Sequence, residues 1–426
     1  MVEDEHIYVG IDWGREEHAV AVTDAAGKIV AELGVAHSGA GITTLTEKLA
    51  SFTSDPRLWH IAIETSRGPL VEALLDRGAR VYAINPKQLD RFRDRHSVAG
   101  AKDDRRDAFV LANSLRTDTK LFRELAGESE YVKEMRVLSR LHDELTEELG
   151  RLASRIAEQL WRYFPAMVIL GKGVYCEAWF HAVWTLIPTP EHAHKIKPSQ
   201  VQRVLRKHRI SRITPAEALA ALRAEPIPIA PGTAKSALIV LESLLERGDV
   251  ARRQLAKCNA GIDRLFESLP GDPEAPAGER SEQRDAQIVR SLPGVGPIVH
   301  AVLLAEAAEP LARRDYAELR TLCGVAPVTF ATGSKTRNGK RIDGRKTVVM
   351  RRACSHRLRD AVWAMAFVAM QREPVSRAKY AALRARGVSH AQALRTVGDR
   401  LLKVLCSMLE SQTHYDQDKR HAAVAA

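Results

Sequence analysis

Ile7-Tyr8-Val9-Gly10-Ile11-Asp12-Trp13-Gly14 reads as a short β-strand that ends in an acid flanked by glycines. Glu17 to Asp24 follows after a tight turn as a second strand, and Ala25-Ala26-Gly27-Lys28 turns the chain into a third, Ile29 to Leu33. Strands joined by such short turns form an antiparallel meander. Beyond it, residues 41–49 have helical spacing, Trp59-His60-Ile61-Ala62-Ile63-Glu64 is an apolar strand that again ends in an acid, residues 68–77 read as helix, and Val81 to Pro86 reads as a buried strand. Alternating helix and strand implies parallel pairing in that half of the sheet.

The acids sit at informative places. Asp12 and Glu64 each close an apolar strand, where a sheet end projects side chains into a cleft. In Gly100-Ala101-Lys102-Asp103-Asp104-Arg105-Arg106-Asp107-Ala108 the carboxylates of Asp104 and Asp107 lie three apart at the start of a helical run, on one face of its first turn. Left together they repel, so a cation belongs between them, either a neighbouring arginine or a divalent metal. Mg²⁺ is a hard cation that takes carboxylate oxygens. A solvated helix start, whose acids favour the helix dipole, is the simpler rival. Meander, helix, strand, helix, strand, helix is the order of the α/β ribonuclease-H-like fold, in which clustered carboxylates hold two Mg²⁺ ions for phosphoryl transfer.

Gly-Ile-Asp-Trp-Gly, Ala-Ile-Glu-Thr-Ser-Arg-Gly, Ile-Asn-Pro and Lys-Asp-Asp-Arg-Arg-Asp-Ala resemble the ordered motifs of the RuvC-like domain in transposases of the insertion-sequence-110 family. The resemblance implies that Asp12, Glu64, Asp104 and Asp107 are a metal-binding tetrad for Mg²⁺, with Mn²⁺ as a substitute. Asp103 stands where the family carries Thr or Ser, and is not counted as a ligand.

The chain has 426 residues, a formal charge of +11 and a pI near 9.5. Its length suggests two or three domains, and its charge favours a polyanionic partner. Cys176, Cys258, Cys323, Cys354 and Cys406 contain no CxxC pair, which argues against a zinc module or a disulfide framework and fits a reducing compartment. The acidic opening Met-Val-Glu-Asp-Glu-His lacks an apolar signal core, and no apolar run is long enough for a membrane span. The expected location is cytoplasmic.

Four parts are expected: a metal domain over 1–125, a helical or coiled-coil middle over 126–284 with a linker near 268–284, a mostly α C-terminal domain over 285–415, and a tail over 416–426. In the middle, Leu138, Leu141, Leu145, Leu149, Leu152, Ile156 and Leu160 step at ~3.67 residues, which predicts a long, nearly straight helix. Its apolar stripe needs a partner. Another helix of this chain or the same helix of a second subunit would serve, and the second is favoured. Lys195, Lys197, Arg203, Arg206, Lys207, His208, Arg209 and Arg212 form a basic run that suits either nucleic acid or solvent, and Trp179 and Trp184 read as core.

Arg290-Ser291-Leu292-Pro293-Gly294-Val295-Gly296-Pro297, before an apolar run, matches a helix-hairpin-helix element. The turn at Gly294 and Gly296 offers backbone N–H groups to a phosphate without reading bases. Then comes the densest basic stretch: Lys335, Arg337, Lys340, Arg341, Arg345, Lys346, Arg351, Arg352, Arg357 and Arg359, ten cations in twenty-five residues with Asp343 the sole acid. Such a loop does not fold onto a core unaided, and a polyanion explains its charge.

In the family that this chain resembles, a serine shortly after a Gly-x-Ala-Pro segment joins covalently to DNA. Here the matching position is Thr332, followed by Gly333, and Ser334 is the nearest serine; both hydroxyls are candidates. The resemblance further implies a transposase that exchanges donor and target DNA strands, a noncoding bridge RNA, and a homo-oligomer, dimer or tetramer. Two rivals remain: a Holliday-junction-resolvase-like endonuclease that uses water, and a catalytically silent nucleic-acid-binding protein.

Overall fold

The computed structural model describes residues 6–84, 89–90, 92, 103–125, 127, 129–269, 282–331, 335–337, 340–342 and 346–418. The chain divides after residue 128 into two compact units.

The first unit runs β1 (Ile7–Asp12), β2 (Glu17–Thr23), β3 (Ile29–Ala36), α1 (Gly39–Ala50), β4 (Trp59–Ile63), α2 (Pro69–Asp76), β5 (Arg80–Ala83), α3 (Asp104–Asp118) and β6 (Arg123–Glu124). These strands form one six-stranded sheet in the order β3-β2-β1-β4-β5-β6. β1, β2 and β3 pair antiparallel, β1, β4 and β5 parallel, and β6 antiparallel on β5. The expected meander and parallel half are both present. β3 continues past Leu33 because its ladder with β2 extends to Glu17 opposite Ala36.

Alternation along β1 sends Ile7, Val9 and Ile11 to the face covered by Leu45 and Leu49 of α1 and Leu70, Val71 and Leu74 of α2. The opposite face meets α3 through Val110, Leu111 and Leu115. Helices on both faces account for β4, Trp-His-Ile-Ala-Ile, being buried at every residue. This mixed sheet with helices on both sides is compatible with a ribonuclease-H-like domain.

The second unit is mostly helical. It opens with α4 (Glu130–Tyr163), 34 residues long and capped where the Ser129 hydroxyl accepts from Val132 N at 3.3 Å. Pro165 begins the next helix, α5 (Pro165–Gly171), so α4 ends before it. Leu145, Leu152, Ile156 and Leu160 are buried, while Leu141 is exposed. The partner of the stripe corrects the sequence expectation: it is a helix of this same chain. After α6 (Ala178–Leu186), α7 (Pro190–Lys195), α8 (Pro198–Lys207) and α9 (Pro215–Leu222), the chain returns as the 36-residue α10 (Thr233–Ser268), which packs along α4.

The pairing is antiparallel. Near one end the Cys258 thiol donates to Leu138 O at 3.2 Å and Gly261 sits against Leu138; further along, Arg247 lies 3.6 Å from Glu148. At the far end Leu152, Ile156 and Leu160 share a core with Leu241, Leu244 and Leu245 and with Phe180, Trp179 and Trp184. The tryptophans are core, as read. The expected linker lies between α10 and α11 (Glu282–Ser291), and its residues 270–281 are outside the described ones.

α11 and α12 (Pro297–Glu306) flank the glycine turn, and α13 (Ala308–Ala312) and α14 (Tyr316–Leu322) follow. The basic stretch holds paired strands where a loop was expected. β7 (Val328–Ala331) pairs antiparallel with β10 (Lys346–Val349), and β8 (Lys335–Arg337) with β9 (Lys340–Ile342), both ladders in one register. α15 (His356–Arg372), α16 (Pro374–Ala385) and α17 (His390–Ser411) complete the unit around a core of Leu303, Met365, Leu401 and Leu405. No helix among the described residues is long and apolar enough to cross a membrane.

His300 ties four helices together. It is fully buried on α12, its Nε2–H donates to Ala286 O of α11 at 3.0 Å, and its ring meets Phe266 of α10 edge-on and lies against Tyr131 of α4. Burial holds its pKa down at about 4, with the Arg290 charge adding to the effect. The native state keeps His300 neutral while the unfolded chain takes up a proton near 6.5, so its contribution is complete above pH 6.5 and is lost as pH falls toward 4. That loss amounts to roughly 3 kcal/mol. In urea unfolding at stepped pH, His300→Gln should flatten the decline in stability between pH 6.5 and 4; an unchanged slope would refute the assignment.

Candidate metal centre

The site in the first unit starts from a missing side chain. α3 crosses β1 so closely that a Cβ on Gly10 would lie 1.9 Å from Ala108 O and 2.6 Å from Ala112 N. Ala108 and Ala112 are themselves small and one helical turn apart, so backbone meets backbone. The approach brings the first turn of α3 over the end of β1, two residues beyond Gly10. There Asp12, Asp104 and Asp107 each offer a carboxylate oxygen, all within 4.8 Å of one another.

Asp107 is 2% exposed, Asp12 is half-buried and Asp104 is exposed. Gathering negative oxygens around a buried carboxylate is costly in a medium of low polarity. Three hard oxygen donors at one point match what a divalent cation requires, and the buried position of Asp107 distinguishes the group from acids scattered on a solvated surface. The arrangement is compatible with divalent metal binding.

Glu64 falls directly after β4. Ile11 pairs with Ile63 in the parallel ladder, so Glu64 stands level with Asp12 on the neighbouring strand end. It is not among the three acids whose oxygens converge. Asp103 is the N-cap of α3, its carboxylate accepting from Arg105 N at 3.2 Å. Ser, Thr and Asp all perform that capping.

Three residues beside the site escaped the sequence reading. Gly14 N donates to Nδ1 of His18 at 3.2 Å, which leaves the proton of His18 on Nε2, facing His37 Nδ1 at 2.9 Å. Burial and the neighbouring His37 lower the pKa of His18, in keeping with a neutral ring that holds the turn after Asp12. Trp13, tilted against His18 and edge-on to His37, stays 47% exposed. The available signal was His18 on β2 and His37 directly after β3, which come together only once the register of the two strands is known.

In the second unit, the glycine turn divides its roles. Gly294 has φ +86° and its missing Cβ would lie 2.1 Å from Met365 O, so packing against α15 requires glycine there. Gly296 caps α12 and faces open space. Thr332, Ser334 and Arg345 lie outside the described residues, and the side chains of Lys335, Arg337, Lys340, Arg341 and Lys346 are likewise not described. Arg352 is exposed, and Arg351 has a buried Nε with no hydrogen-bond partner.

Two members of the basic stretch need no polyanion. Arg357 binds Asp143 at 2.7 Å, Glu306 at 2.6 Å and the Ser139 hydroxyl at 3.0 Å, joining α4, α12 and α15, and Arg359 pairs with Asp360. The charge of Arg357 is spent inside the fold, and that of Arg359 on a neighbouring surface acid.

A family model described as Transposase, of the DEDD type from IS110, matches residues 9–165, and the model described as Transposase IS116/IS110/IS902 family matches residues 286–381. The mini-circle putative transposase for IS117 of Streptomyces coelicolor is 31% identical over 427 residues, spanning 98% of this chain and 97% of that protein. Putative transposase y4uE of Sinorhizobium fredii is 43% identical over 214 residues, which covers 50% of this chain and only 59% of the relative. An uncharacterized 42 kDa protein of insertion element IS900 from Mycobacterium paratuberculosis is 27% identical over 433 residues, 96% of this chain and 97% of its own.

Mg²⁺ or Mn²⁺ at about 100 times its dissociation constant should add ~2.7 kcal/mol to the stability of the first unit. Thermal unfolding with and without the ion reads this as a rise in Tm. Asp107→Asn should remove the rise. Gly10→Ala should lower the metal-free Tm, at a cost on the order of 1–3 kcal/mol for forcing α3 away, and shrink the metal response as well. An undiminished response in both variants would exclude this site.

Proposed function

The chain belongs to the IS116/IS110/IS902 family of transposases, and on that footing we propose a DNA recombinase that exchanges strands by metal-assisted transesterification through a covalent Ser/Thr–DNA intermediate. The observation that carries the reading is the convergence of Asp12, Asp104 and Asp107 where β1 meets α3. A site of this kind suits phosphoryl transfer, in which little covalent chemistry falls to the protein beyond positioning and charge.

In this reading the first unit is a RuvC-like domain, with Asp12, Asp104 and Asp107 holding Mg²⁺, or Mn²⁺ in its place, and Glu64 completing the set from the adjacent strand end. The bound ion supplies positive charge against the charge that develops on the transferring phosphoryl group, and favours the attacking oxygen in its ionised form. The hydroxyl of Thr332 or Ser334 bonds to phosphorus and one phosphodiester P–O bond breaks. The proton lost from the side chain ends on the released strand terminus. The new bond is itself a phosphodiester, so attack by a second strand end reverses the chemistry and rejoins DNA without another energy source. Arg351, Arg352 and the cations of the β7–β10 segment neutralise strand phosphates, and Gly296 presents backbone N–H groups to one more. A noncoding bridge RNA selects donor and target, and the working form is a dimer or tetramer in the cytoplasm.

Purified protein is incubated with its flanking noncoding RNA, labelled element-end DNA and Mg²⁺, then run on a denaturing gel. A protein–DNA adduct lost in Asp104→Asn and in either Thr332→Ala or Ser334→Ala is the expected result. Nicked DNA without an adduct would instead establish a water-using endonuclease.

A further inference from the structure

The metal centre and the β7–β10 segment leave one charged surface of the second unit unused. It lies in the helices inserted between α4 and α10. From His192 to Ala216 the sequence contains no carboxylate, yet it carries Lys195, Lys197, Arg203, Arg206, Lys207, Arg209 and Arg212. All seven are exposed. Some arginines elsewhere in this unit are matched to acids, as with Arg314 and Asp285, Arg320 and Asp399, and Arg357 and Glu306. None of the seven makes an ion pair among the described residues; Arg212 alone makes a ring contact, over Trp179 at 5.0 Å.

The fold fixes which way these charges point. Val201 and Leu205 of α8 are buried, one turn apart, in the core shared with α4 and α10. Arg203, Arg206 and Lys207 therefore occupy the opposite side of the same helix. Lys195 ends α7, Lys197 caps the start of α8, and Arg209 follows α8 in the left-handed region at φ +55°, so the flanking charges are held by ordered backbone. Helix dipoles account for Lys195 in the last turn of α7 and for Arg206 and Lys207 in the last turn of α8, but not for the four others. Only Lys195 has an acid near enough to feel its charge, Glu191, among the described residues; the like charges repel one another, and an external polyanion removes that cost.

We propose that this helical insertion is a second nucleic-acid-binding surface that grips the phosphodiester backbone of a duplex independently of the metal centre. The mode follows from what lies beside the charges: both tryptophans of the insertion, Trp179 and Trp184, are buried, so neither is offered for stacking an unpaired base. Backbone charge without base readout sets position and affinity, and leaves sequence to other parts of the assembly. The occupant is duplex DNA, because the chain belongs to a family of transposases; the paired arms of a structured RNA share the chemistry and are the alternative that the test separates. The inference requires only that the chain acts on nucleic acid, and does not depend on the covalent step.

The test compares full-length protein with Arg203→Gln/Arg206→Gln/Lys207→Gln/Arg209→Gln and with the same four positions as lysine. Fluorescence anisotropy follows binding to a labelled DNA duplex and to a labelled RNA hairpin across a series of NaCl concentrations. Each phosphate contact contributes about 0.9 to the slope of log K against log salt, so the Gln variant should be shallower by roughly 3 to 4 units on the DNA duplex. The lysine variant should keep the parental slope, which separates charge from folding. Loss on DNA, with or without loss on RNA, supports the surface, and loss on RNA alone overturns its assignment to DNA. Parental slopes on both ligands in the Gln variant overturn it, and an acidic protein then becomes the candidate partner. A shallower slope in a protein that forms no DNA adduct would retain this surface while the recombinase reading falls.

Discussion

The contact of α3 with β1 across Gly10 is the constraint from which the first unit takes its chemical meaning. Without a Cβ at that one position, helix backbone rests on strand backbone, and two acids of a helix turn arrive beside the acid that closes the strand. The sheet supplies the rest. Its order places β1 beside β4, and their parallel register sets Glu64 level with Asp12. Residues that are far apart in sequence become one site because a central strand is pressed from both faces and has no freedom to shift.

Much of this was legible in the residues. Acids at the ends of apolar strands, and a pair of acids opening a helix, are local patterns whose meaning survives folding. Short turns and alternating apolar positions carried the meander and the parallel half of the sheet. What escaped was pairwise geometry between distant segments. The imidazoles of His18 and His37 meet only through the register of β2 with β3, which no local pattern encodes.

The long helix shows the same limit from another side. The spacing of its leucines specifies an apolar stripe but not whose surface covers it, and the covering helix begins about seventy residues after α4 ends, past a run of short proline-started helices. A stripe is self-complementary in appearance, so a second subunit and a later helix look alike in the sequence. The basic stretch misled for a different reason: strands of three or four residues with charged side chains lack the apolar alternation that announces a strand. Arg357 belongs to that run in sequence yet to the junction of α4, α12 and α15 in space, where Asp143 and Glu306 receive it.

The antiparallel pair of α4 and α10 has a mechanical consequence. A helix of 34 residues is about 50 Å long. One end is seated through Met135, Cys258 and Ile262 on Ala301 of α12, and the other carries a core of its own, built from α5 to α9 around Leu152 to Leu160. Two separate cores on one stiff boom behave as a base and a detachable head. The head, residues 165–232, thus packs on the far end of the α4–α10 pair, away from the core at Ala301.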